Sequence, residues 1–239
     1  GPTPCPAVSA LVALYEGTGG SSDGWTSDAN WMGNDVTGDS KDPCDNSWYG
    51  VTCSSAGEVT RLFLDSNNVS RSLPTELGML TALTKRFAMG ANGYTSTNKI
   101  SGTLPSQLGK WTAFGYYFFV GGQYLTGSIP TEFGEMTLFT HDFVVWQNDL
   151  RSTIPSELGK MTGMTHGLFL NGNSMTGSVP SELGALTDIT TRFKLNGNSF
   201  CSDIPTEVAA LSESWVTNPS ANPTTWSVAE GNFVGPTPC

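Results

Sequence analysis

Six prolines divide the middle of the chain into segments of nearly constant length. They lie at positions 74, 105, 130, 155, 180 and 205, so their successive separations are 31 residues once and 25 residues four times. A similar phrase surrounds them, as in LTGSIPTEFG at 125–134 and MTGSVPSELG at 175–184. A fixed period of this length predicts a solenoid, in which each coil of chain stacks on the one before. A proline in every coil also excludes long helices, because an interior proline breaks them.

The residues between the prolines repeat with the same period. Leu168 and Leu170 are two residues apart, so we expect them on one face of a short strand and Phe169 on the other. An Asn follows most of these strands, and its amide both donates and accepts hydrogen bonds that the turn requires. We predict a buried ladder of such side chains: Asn67, Asn148, Asn173, Asn198, Gln123 in one coil, and either Asn92 or Asn98 in the long coil.

These residues resemble the plant-type leucine-rich repeat, whose usual line is L-x-x-L-x-x-L-x-L-x-x-N-x-L-x-G-x-I-P. The resemblance covers roughly 44–211, and one additional residue precedes the strand, as between Ile189 and Phe193. It implies an α/β repeat solenoid, a right-handed superhelix with a parallel β-sheet on the concave face and disulfide-stabilised caps. We divide the chain into an N-terminal linker and cap (1–58), about six coils (59–207), and a C-terminal cap and linker (208–239). Helices are predicted at 6–15 and 208–215, and Trp25, Trp31 and Trp48 are predicted to shield the first coil.

The chain has five cysteines. Cys44 and Cys53 flank a segment that resembles the C-x-W-x-G-V-x-C end of the family's N-terminal cap, which implies a disulfide between them. Cys201 and Cys239 are expected to close the C-terminal cap, which leaves Cys5 over. Disulfides and a polar surface with only 13% charged residues favour an extracellular protein. Free buried thiols are the alternative.

The chain begins and ends with the same pentapeptide, GPTPC, at 1–5 and 235–239. The separation of 234 residues (235 − 1) contains four cysteines, which is two pairs. This pattern suggests one unit of a tandem array, in which Cys5 closes the preceding unit. Chance recurrence of a proline-rich linker is the alternative.

Composition narrows the possible partners and compartment. A net charge of −10 argues against nucleic-acid binding, which needs a basic surface. No apolar run reaches the ~20 residues that span a bilayer. No signal peptide precedes the first helix, so we expect a mature or internal fragment. Asn68 begins the one N-glycosylation sequon, Asn68-Val69-Ser70, and a glycan there would suit an extracellular protein.

The outward residues at equivalent positions of successive predicted strands form columns. Within a column, neighbouring residues are about 4.8 Å apart. Six apolar residues lie in these columns and are our candidate partner-binding residues: Phe63, Tyr117, Phe119, Val144, Trp146 and Phe169. Contiguous exposed aromatic side chains usually mark a partner site, and flat rings also suit stacking on sugars. The expected partner is therefore a protein, including a neighbouring copy of the chain, or a cell-surface glycan. The alternative is that the insertion at 90–98 or a neighbouring unit covers the patch.

No catalytic or cofactor motif is present. His141 and His166 are 25 residues apart, and with Asp142 they suggest a weak metal site, but no third ligand is evident. We expect stacked polar rim residues and neither metal nor cofactor. The N-terminal loop contains six acids without the spacing of a calcium loop, so we expect it to be solvated: Asp23, Asp28, Asp35, Asp39, Asp42 and Asp45. Five further acids recur once per coil on the outer face and form no catalytic pair: Glu76, Glu132, Glu157, Glu182 and Glu207.

A repeat scaffold of this kind supports many functions, so the fold does not decide among them. The leading hypothesis is a non-catalytic extracellular module of a tandem-repeat structural or adhesive glycoprotein. The alternative is a ligand-recognition domain of receptor or inhibitor type. An ice-binding role ranks third because aromatic residues interrupt the Thr and Asn columns, and an enzyme ranks last.

Overall fold

The computed structural model describes residues 6–20, 24–31, 42–45, 47–90, 97–189, 192–201, 203–216 and 226–227. Its helices are α1 (Pro6–Gly17) and α2 (Thr206–Val216). Its strands, in chain order, are β1 (Val51–Cys53), β2 (Val59–Phe63), β3 (Ser70–Ser72), β4 (Arg86–Ala88), β5 (Lys99–Thr103), β6 (Tyr117–Phe119), β7 (Tyr124–Gly127), β8 (Asp142–Val144), β9 (Asp149–Leu150), β10 (Gly167–Phe169), β11 (Thr176–Gly177), β12 (Arg192–Lys194), β13 (Ser199–Phe200) and β14 (Trp226–Ser227).

The main sheet runs the length of the solenoid in the order β1-β2-β4-β6-β8-β10-β12-β14. Every neighbouring pair is parallel except β1 and β2, which form an antiparallel edge. Equivalent repeat positions lie side by side, since Gly167 pairs with Asp142 on one side and with Arg192 on the other. The predicted leucine-rich-repeat solenoid with a parallel sheet is confirmed.

A second set of short parallel strands lies just before the repeated prolines, and the sequence analysis did not predict it. It comprises β3-β5-β7-β9 and the pair β11-β13. After each of the first five prolines the chain forms a short 3₁₀ helix, and after the sixth it forms α2: Thr75–Met79, Ser106–Lys110, Thr131–Glu135, Ser156–Lys160 and Ser181–Ala185 are the five 3₁₀ helices. Each coil therefore has the main strand on one side, a lateral strand, and a helical turn on the outer side.

The core lies inside the coils, where one strand residue per coil points inward. These residues are all 1% exposed or less: Leu62, Phe87, Phe118, Phe143, Leu168 and Phe193. The rings of Phe118 and Phe143 stack with centroids 5.1 Å apart, so aromatic contacts continue from coil to coil. Burying each such side chain contributes about 1.5–3 kcal/mol to the free energy of unfolding. The predicted alternation is confirmed, because Leu168 and Leu170 are buried in this core while Phe169 lies outside it.

The predicted amide ladder is present between the coils. Asn173 donates to two backbone carbonyls at 3.0 and 3.1 Å, and its Oδ1 accepts from the amide of Leu150, one coil earlier, at 3.1 Å. In the long coil Asn98 takes this position and is 2% exposed. Asn92, the other candidate, lies outside the described residues. Asn148 makes the same pattern of bonds but is only half-buried.

The N-terminal cap covers the open end of the first coil. Tyr15 from α1 packs against Trp25 and Trp31, and Trp31 packs against Trp48. The Tyr15 hydroxyl donates to Asp28 at 2.8 Å, and burial together with this carboxylate raises the pKa of Tyr15 to about 12. The three tryptophans shield the core as expected, each being 6% exposed or less.

The disulfide that the family resemblance implied, Cys44–Cys53, is present. Cys201 is also disulfide-bonded, but its partner lies outside the described residues, as do Cys5 and Cys239. The pairing of Cys201 with Cys239 and the role of Cys5 therefore stay predictions. The predicted domain boundaries after residues 58 and 207 also stay predictions.

Candidate functional site

A second apolar cluster lies on the solvent side of the main sheet, separate from the core. Ala88, Phe119 and Val144 are buried at its centre. Phe63, Tyr117, Trp146 and Phe169 pack around them and are half-buried. We call these seven residues the concave cluster. All six predicted partner-binding residues lie in it, and the sequence analysis missed only Ala88, which occupies the same column as Phe63 and Phe119.

The aromatic rings of the concave cluster lie flat against the sheet, which differs from the exposed patch that we expected. A Cβ atom at Gly90 would collide with the Phe119 ring, and one at Gly121 would collide with the Trp146 ring. Each ring therefore lies over a glycine of the preceding coil. Phe119 is only 5% exposed, and Val144, packed in the same cluster, is only 4% exposed. These two side chains form the floor, and a partner would contact mainly the half-buried residues around them.

Two arginines that the sequence analysis did not select flank the cluster. The Arg86 guanidinium carbon lies 4.3 Å from the centroid of the Phe63 ring and 4.9 Å from that of Tyr117. The Arg192 guanidinium carbon lies 5.8 Å from the centroid of the Phe169 ring. All three distances fall within the ~6 Å range of cation–π attraction. The sequence does contain a sign of their position, because both arginines belong to the same repeat column as Tyr117 and Asp142.

Asp65 is a buried carboxylate beside this cluster. Its side chain is 4% exposed and lies 3.6 Å from Nη2 of Arg86. Neither carboxylate oxygen accepts a hydrogen bond of normal geometry from the described residues, and the backbone amide of Gly90 makes only a weak one. Burial raises the pKa of Asp65 to about 6, an effect that Arg86 and the backbone amide of Gly90 only partly offset. The ion pair is too long to compensate for the loss of water around the carboxylate.

The two histidines lie on adjacent coils as predicted. Their rings stack with centroids 4.0 Å apart, and Tyr116 lies against the other face of His141 at 3.6 Å. Nδ1 of each histidine is 2.9–3.1 Å from the hydroxyl of the preceding threonine, Thr140 or Thr165. Each hydroxyl donates its own proton to a backbone carbonyl, so Nδ1 must carry the ring proton.

The histidine pair lacks further metal ligands. No group of three or more His, Cys, Asp or Glu side chains that could hold a metal ion occurs in the described part of the chain. Burial lowers the pKa of His141, and the electrostatic effect of the neighbouring His166 lowers it further by a smaller amount. These side chains occupy the rim where the strands of the main sheet begin.

Other predicted sites lie elsewhere on the molecule. Asn68 is half-buried, and its side chain donates to the carbonyl of Gly24 at 3.0 Å. Its glycosylation stays a prediction. The repeated acids such as Glu132 and Glu157 are in the first turns of successive 3₁₀ helices on the outer side, far from the concave cluster in the coil. Of the N-terminal loop acids, Asp23, Asp35 and Asp39 fall outside the described residues.

Comparison with known proteins identifies the fold. No protein-family model matches the sequence, and no curated protein matches it. The PEPR1–AtPEP1 structure is similar at 20% identity and a TM-score of 0.72, over 97% of this chain and 29% of that chain. A plant ice-binding protein is similar at 18% identity and a TM-score of 0.64, over 85% of this chain and 59% of that chain.

The BIR2 ectodomain from Arabidopsis thaliana is similar at 19% identity and a TM-score of 0.62, over 81% of this chain and 93% of that chain. This chain therefore spans less than two thirds of the first two proteins and most of the third. No helix among the described residues has the length and apolarity to cross a membrane. At these identities the similarity concerns architecture: the chain has the leucine-rich-repeat fold of plant receptor ectodomains.

Proposed function

We propose that this protein is a non-catalytic extracellular recognition module that binds a protein or peptide segment on its concave face. The observation that carries this proposal is the concave cluster itself. Its seven residues lie outside the core, so the coils do not need these apolar side chains in order to stack. Apolar side chains gathered on a solvent face usually mark a partner site.

The composition of the cluster suits protein recognition. Tyr117, Trp146 and Phe169 are half-buried, and aromatic residues with arginine dominate the binding energy of protein interfaces. Their rings are already fixed by glycines and neighbouring rings, so little side-chain entropy remains to be lost on binding. PEPR1, which has this fold, forms a complex with AtPEP1. These points place recognition ahead of the structural hypothesis that led the sequence analysis.

A random peptide library selected on the immobilised protein tests this proposal. We expect the enriched peptides to lose binding when Trp146 and Phe169 are both replaced by Ser. The matched control replaces Tyr124 and Leu138, which are 62% and 61% exposed and lie outside the concave cluster. Enriched peptides that bind both double variants equally, or no enrichment at all, would refute the proposal.

A tandem structural or adhesive glycoprotein is the second candidate. The repeated GPTPC pentapeptide and the disulfide bond of Cys201 support it. In such an array the same concave face would serve assembly between copies. Sequencing the complete gene tests this hypothesis, because a second copy at a spacing of about 234 residues supports it and a single copy contradicts it.

Ice binding is the weakest of the three candidates. A plant ice-binding protein shares the fold, but the outward columns of the main sheet contain aromatic and charged residues instead of a regular hydroxyl array. Measurement of thermal hysteresis would detect such an activity directly.

A further inference from the structure

Resting on the function proposed above, we propose a specific partner for the concave face. The ligand is an extended peptide segment with two acidic side chains about six residues apart and apolar residues between them. Arg86 and Arg192 bind the two acids, and the concave cluster binds the apolar residues.

The concave face is basic in a protein that is otherwise acidic. Its outward strand positions carry four basic residues and two acidic ones: Arg61, Arg86, Arg192 and Lys194, against Asp65 and Asp142. The whole chain has a net charge of −10. Positive charge concentrated on one face of an acidic protein attracts an acidic partner and repels a basic one.

Both arginines are held by aromatic rings before any ligand binds. Arg86 lies between Phe63 and Tyr117, and its side chain is still 35% exposed. Arg192 lies beside Phe169 and is exposed. A guanidinium that stacks on aromatic rings keeps its planar fork of donors for a carboxylate. The 3.6 Å contact with Asp65 leaves Arg86 weakly neutralised.

The register of the sheet fixes the distance between the two arginines. Arg86 pairs with Tyr117, and Asp142 and Gly167 continue the row to Arg192. The row crosses from β4 to β12 through four strand spacings. At about 4.8 Å per spacing the arginines are about 19 Å apart. An extended peptide advances roughly 3.3 Å per residue, so acids about six residues apart would reach both of them.

Asp142, in the middle of the row from Arg86 to Arg192, restricts the sequence of the peptide. Asp142 is half-buried between the two arginines, and burial raises its pKa while His166 and Arg192 oppose the rise. A carboxylate of the ligand at this point would meet a like charge in a poorly hydrated position. The segment between the two acids should therefore contain no further acidic residue.

Three displayed libraries of eleven-residue peptides test the proposal. One fixes Asp at positions 3 and 9, a second fixes Asp at 5 and 7, and a third fixes Lys at 3 and 9, with the other positions random. We expect the first library to give the tightest binders, about tenfold tighter than those of the second, as for the gain of one close charge pair. Their affinity should fall at high salt, because exposed ion pairs are screened.

Substitutions of the two arginines test whether each one binds one acidic residue of the peptide. Arg192→Gln should weaken the selected peptides about tenfold, and replacing one of the two Asp residues by Asn should have no further effect in that variant. Arg86→Gln should do the same for the other Asp, provided that its thermal unfolding matches that of the wild type. Arg151→Gln is the control, because Arg151 is exposed and pairs with Asp149 beside the lateral strands.

The outcomes separate this proposal from the proposed function. Equal affinities from all three libraries, still lost in the Trp146→Ser, Phe169→Ser variant, would overturn the arginine pair and leave recognition intact. Peptides whose affinity does not change in Arg192→Gln would also overturn it. No binders from any library would overturn both proposals.

Discussion

Asp65→Asn should stabilise the protein at neutral pH, although it removes one partner of an ion pair. The Asp65 carboxylate is 4% exposed, and no described residue donates a hydrogen bond of normal geometry to it, the backbone amide of Gly90 making only a weak one. Asparagine has nearly the same shape and no charge to desolvate. Arg86 keeps its contacts with the rings of Phe63 and Tyr117 and remains 35% exposed, so it does not become a buried unpaired charge.

The size of this stabilisation and its dependence on pH follow from the pKa of Asp65. Burial raises this pKa from 3.8 to about 6 in the folded state. The folded protein therefore binds a proton more tightly than the unfolded chain does, and the free energy of unfolding falls as the pH rises from about 4 to about 6. A shift of this size corresponds to about 3 kcal/mol, with relaxation of the protein reducing it toward about 1 kcal/mol. Asp65→Asn should recover this amount above pH 7 and little below pH 4.

Urea denaturation at pH 4, 5, 6 and 7.5 measures this effect as the difference in free energy of unfolding between variant and wild type. The control is Asp149→Asn, because the Asp149 side chain is 45% exposed and its hydrogen bonds with Arg151 and Ser174 lower its pKa. Its substitution should change stability only slightly and in the opposite direction. If Asp65→Asn were destabilising at pH 7.5, or its effect did not vary with pH, the carboxylate would be well paired in the folded state and our reasoning would be wrong.

Three further predictions concern the scaffold and the rim. Asn173→Ala should lower the free energy of unfolding by about 1–3 kcal/mol, because it leaves the Leu150 amide and two carbonyls without their partner, and thermal denaturation will show the loss. Ser152→Gly should raise it by about 1 kcal/mol, since Ser152 is exposed at φ +71° where other coils have Gly127 and Gly177, and no gain would mean that the strain is absent. Nitrogen-15 NMR at pH 7.5 should show both His141 and His166 protonated at Nδ1, with a pKa of His141 below its usual value, whereas Nε2-protonated rings would contradict the threonine contacts.

The sequence predicts the main sheet because its signal is strong and local. In each coil two apolar residues flank an outward residue, and the 25-residue period places equivalent residues side by side. The lateral strands were missed because they are only two to five residues long and their partners lie a full coil away. Their trace in the sequence is the residue three before each proline, where Gly102, Gly127 and Gly177 adopt φ between +74° and +78°. Arg71 and Ser152 at the same place adopt φ of +64° and +71°, so glycine alone does not define the pattern.

The arrangement of side chains in the candidate site cannot be predicted from the repeat period alone. The period fixes which column a side chain belongs to, but it does not determine how the side chain lies on its neighbours. Phe119 and Trp146 lie flat because the preceding coil has Gly90 and Gly121 beneath them, and Arg86 lies between two rings because the coils on either side supply Phe63 and Tyr117. Each of these arrangements depends on residue choices in two or three adjacent coils at once. The shape of the concave cluster is therefore a property of neighbouring coils together, and the glycine beneath a ring determines that shape as much as the ring does.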